Sequence, residues 1–210
     1  LRLHINHATY GQIPPFHNTD TYPSSRLYFC IDDCGEIKWP NKKNGFHVLS
    51  LPGHSITYIP PSINLTYHFS TGRMVAFHFN LEIFPGIDVF NQNDHCQQFL
   101  NYKKNCQNMY SLMQESNSLN SIFQIQAEIL YAISLFAKGD PATIRQQVAL
   151  LERYKTLLEF LETSLDAKLT ISDIAKALNK NSSQLSKAFQ KHLGLSLKKY
   201  LTNRLVQQSN

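Results

Sequence analysis

Thr170-Ile171-Ser172-Asp173-Ile174-Ala175-Lys176-Ala177-Leu178-Asn179-Lys180-Asn181-Ser182-Ser183-Gln184-Leu185-Ser186-Lys187-Ala188-Phe189-Gln190-Lys191-His192-Leu193-Gly194 is the stretch that decides how this chain is read. Thr170 can accept a hydrogen bond from a first-turn N–H while Asp173 reaches back, which predicts a helix start. Ile174, Ala175 and Leu178 then give one apolar stripe, and the small Ala175 lets a second helix cross closely. Asn179-Lys180-Asn181 makes a turn, with Asn179 suited to left-handed backbone. A second helix is predicted from Ser182, read as its N-cap, to the C-cap Gly194. Leu185, Ala188, Phe189 and Leu193 recur at three and four residues and face a core, so Ser183, Ser186, Lys187 and Gln190 project the other way. Those outward side chains have the length and hydrogen-bonding chemistry to reach base edges in a major groove. Two short capped helices, a tight turn, a glycine and a following helix form the layout of a helix-turn-helix.

Charge distribution points the same way. From Ala167 onward there are eight cations, Lys168, Lys176, Lys180, Lys187, Lys191, Lys198, Lys199 and Arg204, against the single acid Asp173, a net +7. The whole chain carries only +5, so the basic excess lies on the reader, where phosphates need neutralising. A solvated basic face on an ordinary helical bundle is the bland alternative.

The pattern Leu169-Thr170, Asp173-Ile174-Ala175, Leu178, Asn181-Ser182, Leu185-Ser186, Phe189, Gly194, Ser196, Tyr200-Leu201 and Arg204 resembles the first helix-turn-helix of the AraC-type (AraC/XylS) transcription regulators. The resemblance implies an N-terminal cupin-like barrel that senses a small molecule, and two helix-turn-helix units joined by a long helix. Carried over by position, it implies that Ser183, Ser186 and Lys187 face bases and that Gln184, Gln190 and Lys191 touch phosphates. The sequence runs to Asn210, inside what would be the joining helix, and starts at Leu1 rather than methionine. The expectation is therefore a fragment holding one reader of two, with weak, salt-sensitive DNA binding.

Before the reader, the chain reads as β and then as helix. Residues 27–31, 36–39, 46–49, 55–59, 65–69 and 74–79 are short runs rich in aromatic and β-branched side chains, separated by turn residues such as Asp32-Asp33-Cys34-Gly35 and Ser70-Thr71-Gly72. Strands at this spacing predict a small barrel or jelly roll. The run Leu49 to Pro61 resembles a cupin-type hairpin. After Asp94 one stripe runs through Cys96, Phe99, Leu100, Cys106, Met109 and Met113. A second runs through Leu119, Ile122, Phe123, Ile129, Leu130, Ile133 and Phe136, giving a helical hairpin about Ser116-Asn117-Ser118. Gly139-Asp140-Pro141 breaks the pattern. A third helix through Ile144, Val148, Leu151, Tyr154, Leu158 and Leu161 leads into the reader. The expected class is α+β and multi-domain: a cupin-like β domain over 1–93, a helical hairpin over 94–139 and an all-α helix-turn-helix domain over 140–210. In the family the resemblance implies, the hairpin pairs two protomers; the alternative is that it only covers the barrel mouth.

The chain is 42% hydrophobic and 17% charged, which predicts a folded globular protein. No apolar run reads as long enough for the ~18–20 residues of a membrane span, and a cytoplasmic setting is expected. Cys30, Cys34, Cys96 and Cys106 are too scattered for a disulfide framework, and Cys30 and Cys34 lack a second ligand pair for zinc.

A barrel could also catalyse. A metal-dependent cupin needs closely spaced histidines with a carboxylate converging on one ion, whereas His4, His7, His47, His54, His68 and His78 each lack a histidine two residues on. No phosphate loop, nucleophile elbow or paired-carboxylate stretch appears. No cofactor and no metal are expected. Arg26, Tyr28, Trp39, His47, Tyr58, His68 and His78 are the candidates for an effector pocket, because rings stack on a sugar face while His or Arg fixes hydroxyls. The leading reading is a ligand-responsive, sequence-specific DNA-binding regulator with partners DNA, a small-molecule effector such as a sugar, and a second copy of itself. The alternatives are a metal-dependent cupin enzyme with a helical appendage and a basic module that grips an acidic partner.

Overall fold

The computed structural model describes residues 2–41, 44–84, 87–90, 93, 95–115, 118–136 and 141–208. Its residues group into two compact units, one of 3–80 with 93–138 and one of 1–2 and 81–92 with 139–210.

The strands form two antiparallel sheets, most of whose residues belong to the first unit. The elements are β1 (Arg2–Ile13), β2 (Phe16–Thr21), β3 (Ser25–Cys30), β4 (Gly35–Pro40), β5 (Phe46–Ser50), β6 (Ser55–Ile59), β7 (Asn64–Phe69), β8 (Gly72–Phe84), β9 (Ile87–Asp88) and β10 (Gln97–Phe99). One sheet runs β1-β8-β3-β6-β10, with β9 on β8; the other runs β2-β7-β4-β5. Their inner faces share one core, with Tyr28, Ile59, Met74 and Ala76 from the first sheet against Ile37, Trp39, Leu65 and Tyr67 from the second.

The two sheets read differently in sequence because they are covered differently. β3 and β6 are buried at every position, since helices α1 (Lys103–Gln114) and α2 (Leu119–Phe136) lie over the outer face of their sheet. Tyr58 packs on Phe136 at 5.5 Å between ring centroids, and the Cys106 thiol donates to the Ser55 carbonyl at 3.4 Å. In the other sheet, β7 alternates, with Leu65 and Tyr67 inward and Thr66 and His68 on the more open face. Gly35 has φ +99, and a Cβ there would meet the His68 carbonyl oxygen at 2.1 Å, so β4 can pass β7 only with glycine.

Several expectations need correction here. β1 and β2 lie before the first anticipated strand. Cys96, Phe99 and Leu100 are not on a helix: residues 97–99 form β10, pairing with β6, and α1 starts at Lys103. A backbone that completes a sheet edge is satisfied by the ladder instead of by helical bonds. On α2 the buried face is Ser121, Ile125, Ile129, Ala132, Ile133 and Phe136. Leu119, Ile122, Phe123 and Leu130 of the anticipated stripe are exposed. α2 is also long and apolar enough, by length and composition alone, to cross a membrane; it packs on α1 and β6, with Phe136 against Tyr58 and Phe99.

The second unit contains α3 (Pro141–Ser164), α4 (Ile171–Ala177), α5 (Ser182–Leu193) and α6 (Leu197–Gln208). Tyr154, Leu157, Leu158 and Leu161 of α3 meet Ile174, Ala175, Leu185, Phe189, Leu193, Leu197 and Tyr200 in one core. Ile144, Val148 and Leu151 of the anticipated α3 stripe have side chains outside the described set, as do Gly139 and Asp140 at the anticipated boundary and Ser116-Asn117 in the hairpin turn.

Candidate nucleic-acid interface and ligand cavity

The reader is assembled by caps. The Asp173 N–H donates to the Thr170 hydroxyl at 3.2 Å and the Thr170 N–H donates to the Asp173 carboxylate at 3.1 Å, closing a capping box at the start of α4. The Thr170 hydroxyl and backbone bonds hold the Asp173 carboxyl below its ordinary pKa. Asn179 takes φ +56, the left-handed turn that redirects the chain between α4 and α5. The N-cap of α5 is Asn181, whose side-chain oxygen accepts from the Gln184 N–H at 3.0 Å; Ser182, anticipated as the cap, is the first helical residue. Asn181 wins because its backbone is extended, with ψ +127, whereas Ser182 already belongs to the helix. Gly194 closes α5 at φ +73, donating its N–H to the Gln190 carbonyl at 3.0 Å.

Leu185, Phe189 and Leu193 are buried and Ala188 half-buried. Their burial fixes the opposite face outward: Ser183, Gln184, Lys187, Gln190 and Lys191 are exposed, and Ser186 is half-buried beside them. The helix is pinned to α3 by Tyr154, whose hydroxyl lies 2.7 Å from Nδ1 of His192 and whose ring stands edge-on to Phe189 at 5.3 Å. Arg204 is not a free phosphate contact. It is half-buried and lies 3.6 Å from the Glu162 carboxylate.

Residues 161–202 match the AraC family of bacterial regulatory helix-turn-helix proteins. The chain carries an AraC-family helix-turn-helix. A curated relative, the lactose operon transcription activator of Staphylococcus xylosus, is 24% identical over 209 residues, covering 82% of this chain and 74% of its own. Among solved structures, an apo ToxT variant from Vibrio cholerae is 8% identical, covers 96% of this chain and 81% of that one, and has a TM-score of 0.49. Oxalate decarboxylase of Bacillus subtilis is 7% identical with a TM-score of 0.30, over 34% of this chain, which spans 20% of that enzyme. The AraC-family helix-turn-helix and the activator relative mark a DNA-binding regulator of transcription rather than an enzyme.

The first unit holds a cavity of about 610 Å³ that is open to solvent on one side. Phe16, Asn18 and Asp20 of β2, Tyr67 and Phe69 of β7, Met74, Ala76 and His78 of β8 and Tyr28 of β3 line it, with Tyr22 and residues of β1 such as His7 and Tyr10. At its floor sits a polar cluster. Arg26, fully buried, donates through Nη1 to Asp20 Oδ1 at 3.0 Å and to the Tyr67 hydroxyl, and that hydroxyl donates to the same Asp20 oxygen at 2.8 Å. Arg26 Nε and Nη2 have no hydrogen-bond partner among the described residues; the guanidinium lies 5.3 Å from the Tyr22 ring centroid and 5.7 Å from that of Tyr67. Burial raises the Asp20 pKa against the opposing pull of Arg26. Burial, then the Arg26 charge and His7, pushes His78 down to about 4, so His78 is neutral at pH 7.

The anticipated pocket residues divide. Tyr28 and His78 line the cavity, and Arg26 braces two side chains that do. Trp39, His47, Tyr58 and His68 do not line it. Trp39 packs in the inter-sheet core and stacks on the exposed His47 of the edge strand β5 at 5.1 Å. Tyr58 points outward under α2. His68 is one residue out of phase with Tyr67 and Phe69, and pairs instead with His17, Nδ1 to Nδ1 at 3.0 Å. Period-two alternation decides Tyr58 and His68, whereas Trp39 and His47 share a face as cross-strand partners and lie away from the cavity lining. Asp20, Tyr22 and Tyr67 were missed; the signal was faint, because the inward positions of β2 are Phe16, Asn18 and Asp20, which do not alternate apolar with polar. Among the described residues no group of three His, Cys, Asp or Glu could hold a metal ion.

Proposed function

We propose that the chain is an effector-responsive transcription regulator of the cytoplasm, in which the 610 Å³ cavity takes a neutral polyhydroxylated molecule such as a sugar and alters DNA binding by α5. The observation that carries this reading is the Arg26-held carboxylate of Asp20 among ring faces. A carboxylate already neutralised by an arginine accepts from hydroxyls without demanding a charged ligand, Asn18 can both donate and accept, and Tyr and Phe faces cover the C–H surface of a sugar ring. The lactose operon activator relative supports a sugar as the effector class. In this reading Ser183, Ser186 and Lys187 read bases, Gln184, Gln190 and Lys191 hold phosphates, and the domains are 1–93, 94–139 and 140–210.

We infer a homodimer through the helical hairpin. Leu119 and Phe123 are 74% and 65% exposed on α2, with Ile122, Leu130 and Tyr131 beside them, and a contiguous apolar helix face of this kind is covered in most soluble proteins. A thermal-shift screen of neutral mono- and disaccharides, run on the parent and on Asp20→Asn, tests the effector reading. A saccharide that stabilises the parent and not D20N is the expected result. No stabilisation by any neutral sugar, with stabilisation by charged metabolites instead, would overturn the ligand class.

A further inference from the structure

The geometry points to a second grip on DNA beside the recognition helix: the cleft between α3 and the α4–α5 turn, where Arg153 and Lys180 hold a backbone phosphate. This rests on the DNA-binding reading of α5 and extends it to a residue outside the 161–202 match. The cleft has a volume of about 330 Å³ and is lined by Arg153 and Tyr154 of α3, by Asn179, Lys180 and Asn181 of the turn, and by Gln184 at the start of α5.

Helical geometry places this cleft on the correct side. Each residue of α5 turns about 100°, so Gln184 and Lys191 lie on the flank next to Ser183 and Lys187, between the base-facing side and the buried stripe. The cleft opens on that flank. A DNA strand bordering the groove entered by Ser183 and Lys187 would pass Lys191 and Gln184 and continue to Lys180 and Arg153.

The cations in the cleft are placed and uncommitted. Lys180 N–H donates to the Ala175 carbonyl at 2.8 Å, so the turn fixes its backbone while its side chain is exposed. Arg153 precedes Tyr154, which is buried and tied to His192, so the bond that sets α5 against α3 also sets where Arg153 stands. Both are exposed, and among the described residues neither makes an ion pair with a carboxylate. Asn181 is already used as a cap, which leaves the two cations and Gln184 to meet an anion. The planar fork of an arginine beside a lysine suits a phosphate, and each neutralised phosphate releases counterions from the duplex.

The test is fluorescence anisotropy of the whole chain on a duplex of arbitrary sequence between about 50 and 300 mM salt, comparing the parent with R153A, K180A, R153A/K180A, R153K and K191A. The double alanine variant is expected to lower the magnitude of the slope of log affinity against log salt by about 0.9, the contribution of one neutralised phosphate, and affinity about fivefold near 0.15 M salt. Each single alanine variant is expected to lose part of that contribution, and R153K to keep the parent slope. An unchanged slope in R153A and K180A beside a lowered one in K191A overturns this cleft and leaves the α5 reading standing. A parent that binds no duplex overturns both. Because both side chains are exposed, melting temperatures matching the parent exclude unfolding as the cause of any loss.

Discussion

In the proposed function, the recognition helix and the effector cavity place function on opposite sides of their cores. On α5 the working side chains point away from a packed interior, and Leu185, Phe189 and Leu193 only hold them in position. In the barrel the side chains proposed to bind effector are the interior, and Asp20, Arg26 and Tyr67 both line or brace the cavity and hold one another. Function and stability are therefore separable on the helix and merged in the cavity. A regulator built this way can change its operator by surface substitution, whereas a change of effector must rebuild part of a core.

The largest expected effect attacks the helix from behind. Phe189 is fully buried between Tyr154 and Tyr200, so Phe189→Ala is expected to cost about 3–5 kcal/mol and abolish DNA binding by unfolding the reader, read by chemical denaturation. Asp20→Ala strikes the merged region. It leaves the buried Arg26 without its carboxylate, and about 3 kcal/mol of stability is expected to go together with all effector response. A D20A variant as stable as the parent would break the comparison, since it would show the cavity cluster to be functional only. Lys187→Ala is the separable case: a loss of about 1–3 kcal/mol in specific binding, with relaxed preference at one base and an unchanged melting temperature. An unchanged footprint would remove Lys187 from the reading face.

The smallest effect is one of pH. His78 titrates near 4 in the folded chain against an ordinary 6.5, so between these values the unfolded chain binds the proton that the fold excludes. Stability is then full above about pH 6.5 and falls as the pH drops toward 4. Thermal melts at decreasing pH are expected to show this decline in the parent and a shallower one in His78→Gln. Parallel curves would place the decline elsewhere.

These same two regions show what was legible beforehand. On the helix, the buried stripe and the outward set follow from the spacing of Leu185, Phe189 and Leu193, because a local repeat of 3.6 residues needs no distant partner to be read. The one slip, Asn181 rather than Ser182 as cap, is a boundary residue. In the barrel the strands from β3 to β8 were readable from aromatic and β-branched runs, yet β1 and β2 were not, and with them went Asp20 and Tyr22. A strand that lines a cavity carries polar side chains inward, which erases the contrast that a packed strand shows. His68 in place of Tyr67 shows the second difficulty: a strand's parity is invisible until its neighbours are known.

What the sequence alone determined is the helix-turn-helix, its Thr170 and Gly194 caps, its basic charge and the face it turns outward, all set by patterns within one short local stretch. The tertiary structure alone decided the cavity, where Phe16, Asp20, Arg26, Tyr67 and His78 converge from four strands, and the exposed apolar face of α2. It also decided the cleft that joins Arg153 to Lys180. Helical function is written at short range, whereas a pocket between sheets exists only once strand pairing and register have chosen which side chains meet.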